Sequence, residues 1–583
     1  MTIDDRAWRA HVESELNGAS FDKVLCTQLR EGLRVEPLYT ETSARRLSGA
    51  MPGQAPWVRG AGMKPRGVSR YALGSPAETA AQIAADLSGG NEGFWLEIGR
   101  SDASAVLRNP ALQAAKLWCL ELDQPRPEIL SWLPAGGESV ILFDALAASP
   151  EALAGFVRKG LAERPTARTI HISTVHAHRA GAHAVTELGW AMASAVEVLR
   201  GLESQGLSLE QVASSFSFRF AIGRDVFSEI AKLRAARALW WRVLDAAGVA
   251  APPPLFAVAE TSRRTLSRRD PWVNALRVTT QVFAAMVGGA EIIEAASYDE
   301  ALGARSPLGA RLARNTRLIL EEEAHLSAVH DPAGGSYYVE TLTEGLAKAG
   351  WEELQRIERA GGARHHLSSG AHEAELALSW AALAADLAKR KVPVTGVSEF
   401  PNVNEPLSSG GLAWSGHREA EAFEALRDRV EARGERAVVP IIALGSRAAH
   451  EARLGFARGV LEIAGLKTPE ISWAPGGSAE AALAAAKLSP RCVCLAGSDA
   501  DYLAGAAELA RALKQAGVHR VLIARRADAS WPVIGGVNPP AGAIAPLNAS
   551  EAELKAAGVD EWVYIGADLV AVLERTLRAL EVS

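Results

Sequence analysis

ESVILFDALAASPEALAGFVRKGLAERPTARTIHIS, residues 138–173, holds two apolar, strand-like runs, ESVILFDA and RTIHIS, with a helix-forming stretch between them. Strand, helix, strand in that order is a βαβ unit, and its repetition predicts a parallel sheet. The alternation continues in both directions. Upstream lie GFWLEIG (93–99) and AKLWCLELD (115–123). Downstream lie SFSFRFAIG (215–223), PLFAVAE (254–260), AEIIEAA (290–296) and HLSAVHDPAGGSYYVE (325–340). Amphipathic helical stretches separate them, for example 184–203, 226–247, 301–324 and 342–360. Eight β-then-α units in roughly 270 residues predict a (β/α)8 TIM barrel, whose functional face lies at the strand C-terminal ends.

Outside this block the pattern changes. Residues 1–40 read as a helix followed by an extended arm, GLRVEPLYT, and the Gly-, Pro- and Arg-rich stretch 41–75 is expected to be irregular. Residues 391–436 are turn-rich and then charged, a linker composition. From 437 the alternation restarts with VVPIIAL, PEISWA, RCVCLAG, HRVLIAR, AGAIAPL and EWVYIGA. Five or six short apolar strands over 437–583 predict a doubly wound, flavodoxin-like (Rossmann-type) domain. The expected organisation is therefore an arm at 1–40, a barrel at 41–390, a linker at 391–436 and an α/β domain at 437–583.

The bulk numbers bound the function. The chain has 583 residues, 48% hydrophobic and 22% charged, with a formal net charge of −6. Both signs are interleaved, so nothing suggests a nucleic-acid or anionic-membrane surface. The start, MTIDDRAWRAHVESEL, is acidic and amphipathic rather than a signal peptide, and no apolar stretch approaches a membrane span. Cys26, Cys119, Cys492 and Cys494 lie mostly in apolar runs, which fits reduced thiols in a cytoplasmic protein. Cys492 and Cys494 lack the two intervening residues that metal or redox pairs use.

Polar residues at strand ends are the candidates for chemistry. His171, His176, His178 and His183 fall close together after RTIHIS. Their spacing argues against zinc, since His171 lies in the strand and His183 in the next helix. One histidine acting by hydrogen bonding or as a general acid at the barrel mouth is the functional reading; packed or surface histidines are the bland one. Arg224, Glu260, Asp299, His330 and Asp331 complete the set. Asp331, before Pro332, reads as a turn or cap residue, and the glycines after it predict a tight turn against a neighbour. In the second domain, IIALGSRAAHEAR (441–453) is a strand, a glycine loop and a helix, the usual place for a phosphate or cofactor.

Four long stretches, EGLRVEPLYT (31–40), EIAKLRAARALWWRVL (229–244), RDPWVNALRVTTQVFAAMVGGAEIIEAASYDEALG (269–303) and LARNTRLILEEEAHLSAVHDPAGGSYYVE (312–340), closely resemble the methylmalonyl-CoA mutase family. The resemblance covers nearly the whole chain. It implies adenosylcobalamin-dependent radical rearrangement of methylmalonyl-CoA to succinyl-CoA, performed in many bacteria by a catalytic chain paired with a smaller subunit.

Matched residue by residue, the chain departs from the catalytic pattern. Catalytic members carry D-x-H-x-x-G in the cobalamin domain, where His ligates cobalt and Asp orients it. Counting from Gly445, Arg447 holds the Asp position and Ala449 the His position; His450 falls one residue late. LAGSDADYLAGA stands for the serine-bearing loop, and RRADASWPVIGGVN supplies Gly535 and Gly536. In the barrel, RGAGMKPRGVSRY keeps Pro65, Arg70 and Tyr71 but lacks the substrate tyrosine. Ser215-Phe216-Ser217-Phe218 keeps the serine of an Arg-Leu-Ser-Phe motif and loses its arginine, while His176 keeps the position of a catalytic histidine. The resemblance thus gives His176 as a vestigial catalytic residue, Ser217 and Tyr71 as substrate-binding candidates, and His450, Gly445, Gly535 and Gly536 as a degenerate cofactor loop. His450 is a metal ligand only if cobalt binds.

Within the family the chain resembles the small, non-catalytic (beta) subunit of the heterodimeric enzyme. That implies a larger catalytic partner holding adenosylcobalamin and the acyl-CoA substrate, with the 1–40 arm as an interface. The alternatives are an active acyl-CoA mutase using a shifted cobalt ligand, or a regulatory, chaperone-like mutase-binding protein.

Overall fold

The computed structural model describes residues 5–134, 137–303, 305–405, 415–434, 437–489, 491–526 and 551–581. Two compact units emerge. One comprises 1–266, 274–380 and 412–417; the other comprises 267–273, 381–411 and 418–583.

The first unit is an eight-stranded parallel barrel. Its strands are β1 (Arg66–Ala72), β2 (Gly93–Glu97), β3 (Leu117–Glu121), β4 (Glu138–Leu142), β5 (Ile170–Ser173), β6 (Phe216–Ile222), β7 (Ala257–Thr261) and β8 (Ile292–Glu294). They are ordered β4-β3-β2-β1-β8-β7-β6-β5. A parallel bridge between Val140 and Arg168 closes the ring. Ile141 N donates to Arg168 O and Arg168 N to Ser139 O, each at 2.8 Å.

The period of two sorts the strand residues cleanly. Phe94, Leu96, Trp118, Leu120, Phe218 and Phe220 pack outward into the main core beneath the helices. Val68, Trp95, Leu117, Cys119, Val140, Leu142, Phe256, Val258 and Ile292 form a separate cluster inside the ring.

Seven of the eight expected barrel strands are present, and the eighth is corrected. The 325–336 stretch is turns and irregular backbone, and SYYVE begins the helix Tyr337–Arg359, whose N-cap Ser336 accepts from Val339 N. The missing strand lies instead at Arg66–Ala72, within the stretch expected to be irregular. The reason is physical: RGVSRYA is polar because it turns Arg66 and Arg70 toward carboxylates of other strands, Arg66 to Glu138 at 2.8 Å and Arg70 to Glu121 at 2.8 Å. Local hydrophobicity carries no trace of such distant partners.

Before the barrel, Thr27–Gln28 pairs antiparallel with Arg34–Val35. Leu29 and Leu33 from this hairpin pack half-buried on the barrel core, and Arg30 donates to the Ser379 carbonyl at 3.0 Å. The helix Asp5–Glu15 contributes no buried residue.

The second unit holds a five-stranded parallel sheet of β9 (Ile441–Leu444), β10 (Glu470–Trp473), β11 (Cys492–Ala496), β12 (Arg520–Ile523) and β13 (Glu561–Trp562). Its order, β10-β9-β11-β12-β13, is the flavodoxin-like one, with the switch point between β9 and β11. The expected AGAIAPL strand, Gly535 and Gly536 lie outside the described residues.

Candidate functional site

Barrel enzymes work at the C-terminal ends of their strands. Here that level of the lumen is occupied by charge. Arg219 on β6 donates to Glu121 on β3 at 3.0 Å and to Glu260 on β7 at 2.9 Å. Arg70 on β1 meets Glu121 at 2.8 Å and Glu97 at 2.5 Å. Arg179 reaches Glu260 at 3.1 Å, and Arg263 binds Glu294 at 2.7 Å and Glu300 at 2.9 Å. Trp95 lies beneath this layer, its ring 5.1 Å from the Arg70 guanidinium and 4.4 Å from that of Arg219, its Nε1 donating to Glu121 at 2.8 Å.

One of these bonds fixes the state of the lumen. Strands β3 and β6 are three positions apart in one direction around the ring and five in the other, so they face each other across it. A 3.0 Å bond between Arg219 and Glu121 therefore spans the axis. With the nine-residue apolar cluster that includes Trp95, the interior is filled by side chains.

The electrostatics keep the layer ionised. Burial disfavours the Glu121 carboxylate, but Arg219, Arg70 and the Trp95 N–H outweigh it and hold it at about 2. Burial acts likewise on Glu260, where Arg219, Arg263, Arg179 and Arg70 hold it far below the ordinary carboxylate range.

The predicted residues fall in different places. Ser217 and His171 both face the lumen on adjacent strands, with Ser217 Oγ 2.9 Å from His171 Nδ1. Burial, then the neighbouring Arg219 cation, depresses His171 to about 3, so its imidazole is neutral. His176 is exposed on the short helix Val175–Arg179. Tyr71 faces away from the lumen and donates to Asp86 of the helix Pro76–Ser88. Glu260 sits within β7. His330 and Asp331 lie at the opposite, N-terminal end of the barrel, bordering a cleft with Gly62, Lys64, Gly289 and Glu291. Asp331 there pairs with the buried Arg234 and with Arg59 at 3.6 Å, so it anchors its loop. Asp299 accepts from Ser306 N at 3.1 Å.

Sequence reasoning missed Trp95, Glu121 and Arg219. The available signal was a charged residue at an inward position of an otherwise apolar strand, as in LWCLE and FSFRFAI.

In the second unit, Gly445 ends β9 with φ +78°, a conformation that glycine adopts without strain. A Cβ at that position would collide with the Asp501 carboxylate. Arg447 opens the helix Arg447–Ile463 in solvent and pairs with Glu451 at 3.1 Å. His450 lies buried on that helix, its Nδ1 3.3 Å from the Leu444 carbonyl. Across the switch point Arg453 donates to Gly497 O at 2.8 Å and meets Asp499 at 2.7 Å. Cys492 and Cys494 are buried and unpaired by disulfide. Among the described residues no cluster of three or more His, Cys, Asp or Glu could hold a metal ion, and no helix is long and apolar enough to cross a membrane.

A closed parallel barrel followed in the same chain by a flavodoxin-like domain is the architecture that the mutase resemblance implies. The chain belongs to the methylmalonyl-CoA mutase family, whose family model matches residues 145–452. It is 36% identical to a methylmalonyl-CoA mutase small subunit of Streptomyces virginiae, over 98% of this chain and 94% of that one. It is 32% identical to the corresponding small subunit of Propionibacterium freudenreichii subsp. shermanii, over 98% and 92%. A methylmalonyl-CoA mutase of Escherichia coli is 30% identical over 59% of this chain and 57% of its own.

Proposed function

We propose that this chain is the small, non-catalytic subunit of a cytoplasmic, adenosylcobalamin-dependent methylmalonyl-CoA mutase, paired with a larger chain that holds cofactor and substrate. The observation that carries the reading is the Arg219–Glu121 bond across the barrel axis. An acyl-CoA needs open volume at the strand C-termini, and radical chemistry needs many groups converging on a dry pocket. Here the converging groups are spent on one another.

The cobalt loop supports the same reading. Its residues do not fit a base-off cobalt ligand, because His450 is buried with Nδ1 at a backbone carbonyl and an arginine stands where the orienting carboxylate belongs. No step of the reaction is assigned to this chain. His176, Ser217 and Tyr71 keep positions from a catalytic ancestor without converging. The part of the arm offered to the partner is the 5–15 helix, since the 27–35 hairpin packs on the chain's own barrel.

The test is reconstitution. The purified chain mixed with adenosylcobalamin is expected to give no base-off spectral change and no turnover. Mutase activity is expected only when a larger D-x-H-x-x-G chain is added. Turnover by the chain alone would establish the shifted-ligand alternative, and a larger chain fully active without it would establish the regulatory one.

A further inference from the structure

Outside the lumen layer, one buried cluster is used by nothing described above. Lys232, on the helix Val226–Ala246, has no solvent exposure. Its ammonium lies 2.6 Å from Glu229 Oε2 and 3.3 Å from both carboxylate oxygens of Glu187, and it donates to the Ala221 carbonyl at 2.7 Å. Glu187 also accepts from Thr174 Oγ1 at 2.8 Å and from His178 Nδ1 at 2.9 Å. Ser262 Oγ, 2.7 Å from His178 Nε2, completes the chain as donor to the neutral ring.

The bonding is lopsided. Lys232 hydrogen-bonds to Glu187 and to the Ala221 carbonyl, while its contact with Glu229 is an ion pair that leaves Oε2 without a hydrogen bond. Glu187 has Thr174, His178 and Lys232, whereas Glu229 has Lys232 and the Gly223 amide. Two carboxylates thus share one buried ammonium, and of the three side chains Glu229, 11% exposed, is the one that reaches solvent. Arg264 from the 263–265 turn is the other cation at this site, and it donates to the His178 and Ala182 carbonyls at 2.6 and 3.1 Å. On the same helix Asp225 serves as N-cap, accepting from Ser228.

We infer that this trio is a proton-sharing centre: Glu229 takes a proton from solvent while Glu187 stays ionised, and the uptake makes barrel stability pH-dependent. Like charges that share one counter-ion separate their affinities for protons. Burial, reinforced by repulsion from Glu187 and only partly offset by Lys232, raises Glu229 to about 7. Burial opposes ionisation of Glu187 too, but Lys232, His178 and Thr174 overrule it and hold it at about 2. Lys232 keeps its proton, raised by both carboxylates against the effect of burial. The folded value of Glu229 exceeds its unfolded one, so the stability that its proton confers is lost as pH rises through about 7.

The test compares denaturant unfolding of the full chain with that of Glu229→Gln at about pH 6 and about pH 8. The ratio of wild-type to variant unfolding constants is expected to rise about tenfold between them. Buried histidines titrate alike in both proteins and cancel. Difference infrared spectroscopy should show a protonated-carboxyl stretch in the wild type at the lower pH that is absent from Glu229→Gln. Glu187→Gln removes the repulsion and leaves Lys232 to Glu229 alone but does not undo the burial, so the band should weaken and the pH-dependent ratio shrink there. If Glu229→Gln does not fold, the wild-type band and its weakening in Glu187→Gln decide the matter. A ratio independent of pH, or a wild type without the band, overturns the inference.

Discussion

At the scale of single residues, Arg219 carries the most consequence. The residue is 5% exposed and its guanidinium meets carboxylates from two strands, so removing it leaves Glu121 with Arg70 alone and Glu260 with Arg70, Arg179 and Arg263. Breaking a buried pair from one side costs roughly 3–5 kcal/mol, mostly for the charge left behind. Arg219→Met is expected to lower unfolding stability by about that much, read from denaturant midpoints, and to restore no mutase turnover. Buried histidines add a pH effect of opposite sign to that of Glu229. Burial, with a nearby arginine cation, depresses His171 to about 3 and His178 to about 4. Their folded values lie below the unfolded value of about 6.5, so each confers stability above it and loses about 2 kcal/mol by about pH 5. Denaturant midpoints should fall over that range, and less steeply in His171→Asn; identical slopes would contradict the burial.

At the scale of elements, what was legible and what was not follows from where each signal resides. Strands such as FWL and VIL, apolar on both faces, announced themselves because each is covered by helices outside and side chains inside. RGVSRYA did not, because its inward arginines are satisfied by Glu121, Glu97 and Glu138, which lie 25 or more residues away. SYYVE misled for the reverse reason: aromatic and β-branched residues raise strand propensity, yet Ser336 caps a helix there and the 337–359 face buries against the barrel's outer helices. The cap is a cheap test of that account. Ser336→Ala should cost roughly 1 kcal/mol, whereas in a strand it would be nearly silent. The candidate site divided similarly. The location of the 441–453 loop was readable from its strand, glycine and helix pattern, and Ser217 came from the family resemblance; the Arg–Glu layer was not readable, because a charged residue's partner across a barrel has no sequence period.

At the scale of the molecule, the question is which part of a filled, self-satisfied barrel is left over for another chain. The 27–35 hairpin is spent, since Leu29 and Leu33 pack on the barrel core and Arg30 is bound to the Ser379 carbonyl. The 5–15 helix is different: no residue of it is buried, and its aromatic contact is Trp8 on Phe21, 6.1 Å between ring centroids. An eleven-residue helix is too short to be stable in water without a surface to lie on. If that surface belongs to the larger subunit, removing residues 1–19 should leave the thermal midpoint of the isolated chain nearly unchanged while weakening association at least about tenfold, worth about 1.4 kcal/mol. Sedimentation of the mixed subunits measures the second quantity and calorimetry of the truncated chain the first. A truncation that lowers the midpoint and leaves association intact would assign the helix to this chain's own fold and move the interface elsewhere.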